Sequence, residues 1–153
     1  MKTCNRSINI FQEAIDHCRW KKALYSVLNK INIVDYENKT FEEIIFDIYN
    51  ICNNVKGVGM LAIYDITSAI CRYYTINICK VYLIGSGPKR AVEILNIKKN
   101  IHKINDKIRL HFVEPIDVIN AFDINNYELD ENIRNTKNGD ILETYICNWQ
   151  KSK

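Results

Sequence analysis

The chain has 153 residues, of which 47% are hydrophobic and 25% are charged, and its formal net charge is +3. A chain of this length can bury one substantial core, and no Pro-, Ser- or Gly-rich linker divides it, so we predict a single domain over 1–153. The N-terminus lacks a charged-then-apolar signal, and no apolar run approaches the roughly 18–20 residues of a membrane span. The sequence therefore predicts a soluble, cytoplasmic protein with no membrane partner.

Cysteine is frequent, but no two cysteines form a Cys-x-x-Cys pair. Structural zinc sites and iron–sulfur clusters need closer ligand spacing, and the histidines are far from the cysteines in sequence. We therefore predict buried free thiols, with no metal and no other cofactor. The six cysteines are Cys4, Cys18, Cys52, Cys71, Cys79 and Cys147.

Basic and acidic residues are separated along the chain. The segment 72–109 contains nine Lys or Arg and two acids, whereas 115–145 contains seven acids and two basic residues. A basic stretch is what a phosphate-binding face requires, although an ordinary solvated surface has the same composition. The acidic region 123–143 is a possible surface for a protein partner.

Helical periodicity dominates the first half of the chain. Ser7 can cap a first helix whose apolar face continues toward Ile31, as one helix or as two. The segment Thr40-Phe41-Glu42-Glu43 has the pattern of a capping box. It predicts a helix with one buried apolar face that runs from Phe41 to Cys52. Gly57-Val58-Gly59 then turns the chain into another helical pattern that ends near Tyr73.

The second half mixes weaker signals. The segment 76–84 is rich in β-branched and aromatic residues, which is typical of a short strand or an extended connector. Pro88 suits the first turn of a helix with Ser86 or Gly87 near its cap. Isoleucines at three- to four-residue spacing, with lysines on other faces, predict an amphipathic basic helix over 97–109.

The acidic C-terminal part is predicted to contain a short helix from Pro115 through Phe122, a surface loop from Asp123 to Asn138 with an ordered piece inside it, and a last helix capped by Asp140 with Glu143. The fold class is therefore mainly α, a compact helical domain with about seven helices and one short extended segment near 76–84. Its predicted parts are a hairpin-bearing centre (40–96), the basic helix (97–109), and the acidic loop with the terminal helix (115–150).

Two glycine segments carry a resemblance to a known motif. Leu83 to Leu95 resembles the helix–hairpin–helix motif of DNA-repair and recombination proteins, in which a Gly-apolar-Gly hairpin precedes basic residues and then a small residue. Gly87 and Ala91 have that spacing, with Ser86 between the two glycines. The segment around Gly57-Val58-Gly59, 28 residues earlier, looks similar, with Ile63 where the small residue is expected. We therefore predict two helix–hairpin–helix-like motifs.

The resemblance implies that hairpin amides hold a backbone phosphate and that neighbouring basic residues add charge. Such binding would be non-sequence-specific, directed to nucleic acid and first of all to DNA, and strongly dependent on salt. Each hairpin alone is also consistent with a simple interhelical turn, and the second, followed by basic residues, is the better phosphate candidate. The nominated residues are Gly57, Val58, Gly59, Gly85, Ser86 and Gly87 for amide contacts, with Lys56, Lys89 and Arg90 as the charges.

The chain is also similar to the helix–hairpin–helix DNA glycosylases, which use a hairpin lysine or a downstream aspartate at the sugar. Met60 and Leu61 stand where that lysine would lie, and the segment Cys79–Ile84 has no carboxylate. The four-cysteine iron–sulfur loop is missing as well. We therefore predict binding without base excision and without catalysis.

A third likeness is to a group of small uncharacterised bacterial proteins with a glycine hairpin, a Tyr-Asp helix start and a Val-Tyr-Leu segment. It implies no function.

Tyr64 and Asp65 are the catalytic candidates, but adjacent helix residues point to different faces of a helix. The favoured interpretation of Asp65 is a structural carboxylate paired with Arg72. The alternatives to nucleic-acid binding are a protein-interaction adaptor with structural hairpins and a divergent nucleic-acid-processing enzyme.

Overall fold

The computed structural model describes residues 30–31 and 36–153. Within these ranges the chain forms six α-helices and one three-stranded antiparallel sheet. The predicted mainly α class is confirmed. The helix predicted to begin at Ser7 falls on residues outside the described ranges, and so do Cys4 and Cys18.

The helices and strands follow in this order: α1 Phe41–Cys52, α2 Met60–Tyr73, β1 Val81–Tyr82, α3 Ser86–Ile94, β2 Asn100–Lys103, β3 Arg109–Val113, α4 Pro115–Ile124, α5 Glu131–Asn135 and α6 Gly139–Trp149, with a short 3-10 helix at Gln150–Ser152. In this part of the chain, no helix has both the length and the apolar character needed to cross a membrane.

The chain divides into two compact units between Ile76 and Asn77. The N-terminal unit contains α1 and α2, and the C-terminal unit contains the sheet and helices α3 to α6. The single domain expected from the sequence stays a prediction.

Helix α1 forms as its local sequence predicts. The Oγ1 of Thr40 accepts a hydrogen bond from the Glu43 amide at 3.2 Å, which satisfies one of the amides left open at a helix start. Glu43 itself lies 3.9 Å from Lys39 across an exposed ion pair. The buried face of α1 consists of Phe41, Ile44, Ile45, Ile48 and Cys52.

Helix α2 packs against α1 and completes the described core of the N-terminal unit. Ile63, Ile66 and Ile70 are buried, and each such side chain contributes roughly 1.5–3 kcal/mol on burial. The buried hydroxyl of Thr67 donates to the Ile63 carbonyl at 2.8 Å, so it does not remain unpaired. Burial raises the pKa of the Cys52 thiol from 9.0 to about 11, which leaves it protonated and unreactive near neutral pH.

All four cysteines in the described ranges are free thiols, as predicted. Cys52 and Cys71 are buried and Cys147 is half-buried, but Cys79 is exposed, so the expectation of burial is wrong for that residue.

The core of the C-terminal unit lies where α3, α4 and α6 cover the sheet. The strand order is β1-β3-β2, with Val81 opposite Val113 and Lys103 opposite Arg109. The short strand expected within 76–84 is therefore confirmed as β1. The fully buried members of this core include Val81, Leu83, Val92, Val113, Val118, Phe122, Leu142 and Ile146.

The predicted basic helix over 97–109 is wrong, because this segment forms β2, a turn and the start of β3. The side chain of Asn105 holds the turn by accepting from the amides of Lys107 at 2.7 Å and Ile108 at 2.8 Å. Ile101 is 60% exposed and Ile108 is 1% exposed, so the isoleucines that a helix would place on one face lie in different environments.

The acidic region also differs in detail from the prediction. Helix α4 continues past Phe122 to Ile124, and the expected loop contains α5, which Asp130 caps by accepting from the Asn132 amide at 2.8 Å. Asn138 caps α6 through a 2.9 Å hydrogen bond from the Asp140 amide. Asp140 was the predicted cap, but it is a buried residue of the first turn, so that prediction is wrong.

Candidate nucleic-acid interface

The first glycine segment joins α1 to α2 through a tight hairpin in the N-terminal unit. The Val55 amide donates to the Cys52 carbonyl at 3.0 Å, and the Val58 amide donates to the Val55 carbonyl at 3.1 Å. Gly57 has a φ of 85°, a left-handed conformation that glycine adopts without steric cost. Val58 is buried, which anchors the turn to the core.

The hairpin leaves the start of α2 open. Gly59 is the N-cap residue, and it has no side chain that could accept from the first-turn amides. The first turn contains no acidic residue, and a Cβ built on Gly59 meets no atom of the described residues within 4 Å. The helix dipole places a partial positive charge at this end, so the open turn suits an anion. Lys56 is exposed directly before Gly57 and adds a full positive charge.

The second glycine segment has a different architecture. The chain enters α3 from strand β1, and Gly85, with φ −78° and ψ 166°, is the N-cap of α3. The predicted second helix–hairpin–helix motif is therefore not formed, because the residues before Gly85 are extended rather than helical. Among the residues nominated here, Ser86 and Lys89 are exposed and Gly85 is half-buried.

Gly87 and Arg90 belong to the packing between α3 and the C-terminal helices. A Cβ on Gly87 would collide with Sγ of Cys147 on α6, so glycine is needed here for close approach. Burial and the nearby Glu143 raise the pKa of that thiol. Arg90 donates to the side-chain oxygen of Gln150 at 3.1 Å and to the Lys153 carbonyl at 2.9 Å. These contacts give both residues a structural role.

We expect Gly87→Ala to lower the free energy of unfolding by about 1–3 kcal/mol, because the added methyl group overpacks the contact with Cys147. Adding Cys147→Ala removes the sulfur atom, and it should recover most of the loss. Urea unfolding of both single variants and the double variant gives the coupling energy. Strictly additive losses would show that the two residues do not pack together.

The two catalytic candidates are placed in the N-terminal unit. Tyr64 is 3% exposed and packs edge-on against Phe41, with ring centroids 6.2 Å apart, so it is a core residue that joins α1 and α2. Asp65 is half-buried, and its backbone carbonyl accepts from the Ser68 hydroxyl at 3.0 Å.

The β2–β3 hairpin presents a basic surface that the helical prediction missed. Lys103 and Arg109 are exposed partners across the hairpin, and exposed Ile101 faces His111. Like charges directly opposite one another are unfavourable in a sheet. Within residues 30–31 and 36–153, Lys103 forms an ion pair with Asp106 at 3.0 Å, and no ion pair is found for Arg109. A bound anion would relieve this repulsion. The alternation of Arg109-Leu110-His111-Phe112-Val113 is the sequence signal that predicts this strand.

The opposite face of the same hairpin is structural. The Tyr82 hydroxyl lies 2.9 Å from Nδ1 of His102, and the two rings are stacked with an interplanar angle of 16°. The Nζ of Lys80 lies over the Phe112 ring, 5.1 Å from its centroid. His102 is therefore held by neighbouring side chains, whereas His111 is exposed.

Much of the acidic charge in 123–143 is engaged within its own segment. Arg134 donates to both carboxylate oxygens of Asp123, at 2.7 and 3.0 Å, and these hydrogen bonds hold the pKa of Asp123 below its usual range. Asp130 caps α5, and Asp140 is buried. Glu128 and Glu131 remain exposed.

Comparisons of this chain with models of known families, with curated proteins and with solved structures found no match. Across residues 30–31 and 36–153, no group of three or more His, Cys, Asp or Glu side chains is placed to hold a metal ion.

Proposed function

We propose that this protein binds nucleic acid, with DNA as the first candidate, through backbone phosphates and without base-specific contacts. The observation that supports this proposal most is the open start of α2. Helix α1, the Gly57-Val58-Gly59 turn and α2 follow one another in the order of a helix–hairpin–helix motif. The residues proposed to contact phosphate are the amides after Gly59, together with Lys56. The proposal therefore uses the first hairpin for phosphate binding, whereas Gly87 and Arg90 of the second segment make packing contacts and hydrogen bonds with the C-terminal residues.

A single helix start is too weak a site by itself. The helix dipole stabilises an anion at an exposed N-terminus by only about 0.3–1 kcal/mol, and charge-assisted hydrogen bonds from the first-turn amides add about 1.5–3 kcal/mol, so useful affinity still needs several phosphate contacts. The exposed basic residues of the C-terminal unit are proposed as a separate set of phosphate contacts, above all Lys103 and Arg109, with Lys99 and Lys107 nearby in sequence. Backbone amides and lysines read charge rather than base edges, which is why the proposed binding is independent of sequence.

The adaptor alternative has less support in the described contacts. Its proposed surface at 123–143 uses several carboxylates for capping, burial and an internal ion pair. The enzyme alternative relies on Tyr64 and Asp65, of which the first is a core residue. Neither alternative gains a specific observation.

Affinity for a short labelled DNA duplex should fall steeply as salt rises, because bound phosphates release counterions. Replacing Lys103 and Arg109 together by glutamine should reduce the slope of log K against log salt concentration by about 2, since each contact contributes roughly 0.9. Fluorescence anisotropy across a salt series measures this slope. Stability should change little, because the variant removes the like-charge pair together with the exposed Lys103–Asp106 ion pair.

The matched control is Lys137→Gln with Lys151→Gln, which removes the same charge from exposed positions outside β2 and β3. We expect this control to keep most of the parental slope. The absence of duplex binding at low salt would refute the proposed function. Equal slopes for the two double variants would show that Lys103 and Arg109 do not contact the phosphates.

A further inference from the structure

A groove of about 590 Å³ lies in the C-terminal unit between the end of α3, the segment leading into β2, and helix α4. Its volume is within the roughly 300–1,000 Å³ range of small-molecule sites. The apolar part of the lining includes buried Leu95 and Ala121 and the 79% exposed Ile124. The groove is open to solvent, and it shares no residue with the basic pair Lys103 and Arg109.

The polar part of the groove is rich in asparagine. Asn96, Asn100, Asn120 and Asn125 all line it, and each amide side chain offers both a donor and an acceptor. Asn125 uses its Nδ2 to donate to the Ala121 carbonyl at 2.7 Å, which leaves its Oδ1 to accept from a ligand. Amide groups above an apolar wall match a flat heterocycle that has hydrogen-bonding edges.

The electrostatics of the groove favour a ligand that donates hydrogen bonds. Leu95 is the C-cap of α3 and Asn125 is the C-cap of α4, so the negative ends of two helix dipoles border the groove. The carboxylate of Asp117 also lines it. These groups disfavour a phosphate inside the groove, and among the lining residues that the structure describes Lys98 is the only Lys or Arg to offset them.

We propose that this groove binds a nucleobase with an exocyclic amino group, such as adenine. The base lies against the apolar wall of Leu95 and Ile124, and its amino group donates to asparagine side-chain oxygens. The base can come from a free nucleoside or from an unpaired position in a single strand. The second source rests on the proposed function, whereas the first does not.

Calorimetric titration of the whole chain with adenosine tests the groove directly. We expect a Kd of about 0.1–1 mM, the range reached by small ligands in open sites. Inosine carries an oxygen in place of the amino group, and we expect it to bind at least about fivefold more weakly, since it loses donated hydrogen bonds. Equal affinity for the two nucleosides, or no saturable binding at about 10 mM, overturns the proposal.

The groove variant combines Asn120→Leu with Ile124→Ser, two exposed positions on α4 where folding should be preserved. We expect it to weaken adenosine binding by at least about tenfold, because it loses both an amide partner and the apolar wall. Ile116→Ser is the control, since Ile116 is 57% exposed on the same helix but does not line the groove. Unchanged adenosine affinity in the groove variant also overturns the proposal.

A second arm separates the two sources of the base. If the groove holds an unpaired base, the groove variant should lose affinity for a single-stranded adenine oligonucleotide while its affinity for duplex DNA is unchanged. If the groove variant loses affinity for adenosine but keeps its affinity for the oligonucleotide, the ligand is the free nucleoside. The variant Gly59→Asp should keep adenosine binding while duplex binding falls, so a failure of the proposed function and a failure of the groove give different results.

Discussion

Gly59→Asp should reduce affinity for duplex DNA about 10- to 100-fold at low salt, while the free energy of unfolding stays the same or rises. Aspartate is a favoured N-cap residue, and the N-cap position has the extended backbone and the open space that its side chain needs. The carboxylate would accept from the first-turn amides of α2 and would repel a phosphate at the same place. Charge-assisted hydrogen bonds of this kind are worth about 1.5–3 kcal/mol, which sets the size of the effect.

Gly59→Ala is the matched control, because it adds a methyl group in open space without adding a cap or a charge. It should keep affinity within about threefold and lose a few tenths of a kcal/mol of stability. Of the two variants, Gly59→Asp would therefore bind duplex DNA more weakly but have the higher free energy of unfolding. Anisotropy titration with thermal unfolding of each protein measures both, and a Gly59→Asp protein that binds like the parent would exclude this hairpin as the phosphate site.

Gly139→Ala should cause the largest loss of stability, about 3 kcal/mol or more. A Cβ at this position would overlap the backbone carbonyl of Lys80 and lie 3.0 Å from the carbonyl oxygen of Ile78. The Gly139 amide also donates to that Ile78 oxygen at 2.6 Å. Because the obstacle is backbone, no rotamer change can relieve it, and α6 must shift away from the approach to β1.

The loss of stability can be measured by urea unfolding, with Gly59→Ala as the control for the same chemical change in open space. For a chain of this size each kcal/mol corresponds to roughly 2–4 °C in Tm, so Gly139→Ala should lower Tm by about 6–12 °C. A loss below about 0.5 kcal/mol would mean that α6 does not begin against the Lys80 backbone.

The parts of the fold that local signals specify were predictable. Helix α1 follows from Thr40 as a cap and from apolar residues at helical spacing, and both act within a few residues of each other. The turn at Gly57 is also local, because its φ of 85° favours glycine. The short strand β1 was visible as a β-branched and aromatic run.

The basic segment shows where local reasoning failed. Isoleucines at 97, 101, 104 and 108 fit a helical stripe, but the same residues also fit two strands joined by a turn. Pairing with β1 through β3 favours the strands, and that partner lies far away in the sequence. Secondary structure that depends on a distant partner cannot be read from a short window.

The surroundings of each glycine segment also depend on contacts that a short window of sequence does not show. Both segments have the Gly-x-Gly pattern, and the second has the better match in the residues that follow it. The element before each segment makes the difference, because α1 leads into an open helix start and β1 leads into a helix covered by α6. Arg90, predicted to contact phosphate, donates hydrogen bonds to the Gln150 side chain and the Lys153 carbonyl, and its contact with phosphate stays a prediction.

The sequence by itself determined the mainly helical class, the α1–turn–α2 unit and the separation of basic from acidic segments, because these properties depend on neighbouring residues and on composition. Only the tertiary structure decided that 97–109 is part of a sheet, that Gly87 and Gly139 are needed for close packing, and that asparagines from the end of α3, the start of β2 and the last part of α4 and its C-cap meet in one groove. These features depend on contacts between residues distant in sequence, since a strand, a close approach or a groove exists only when its partner is in place.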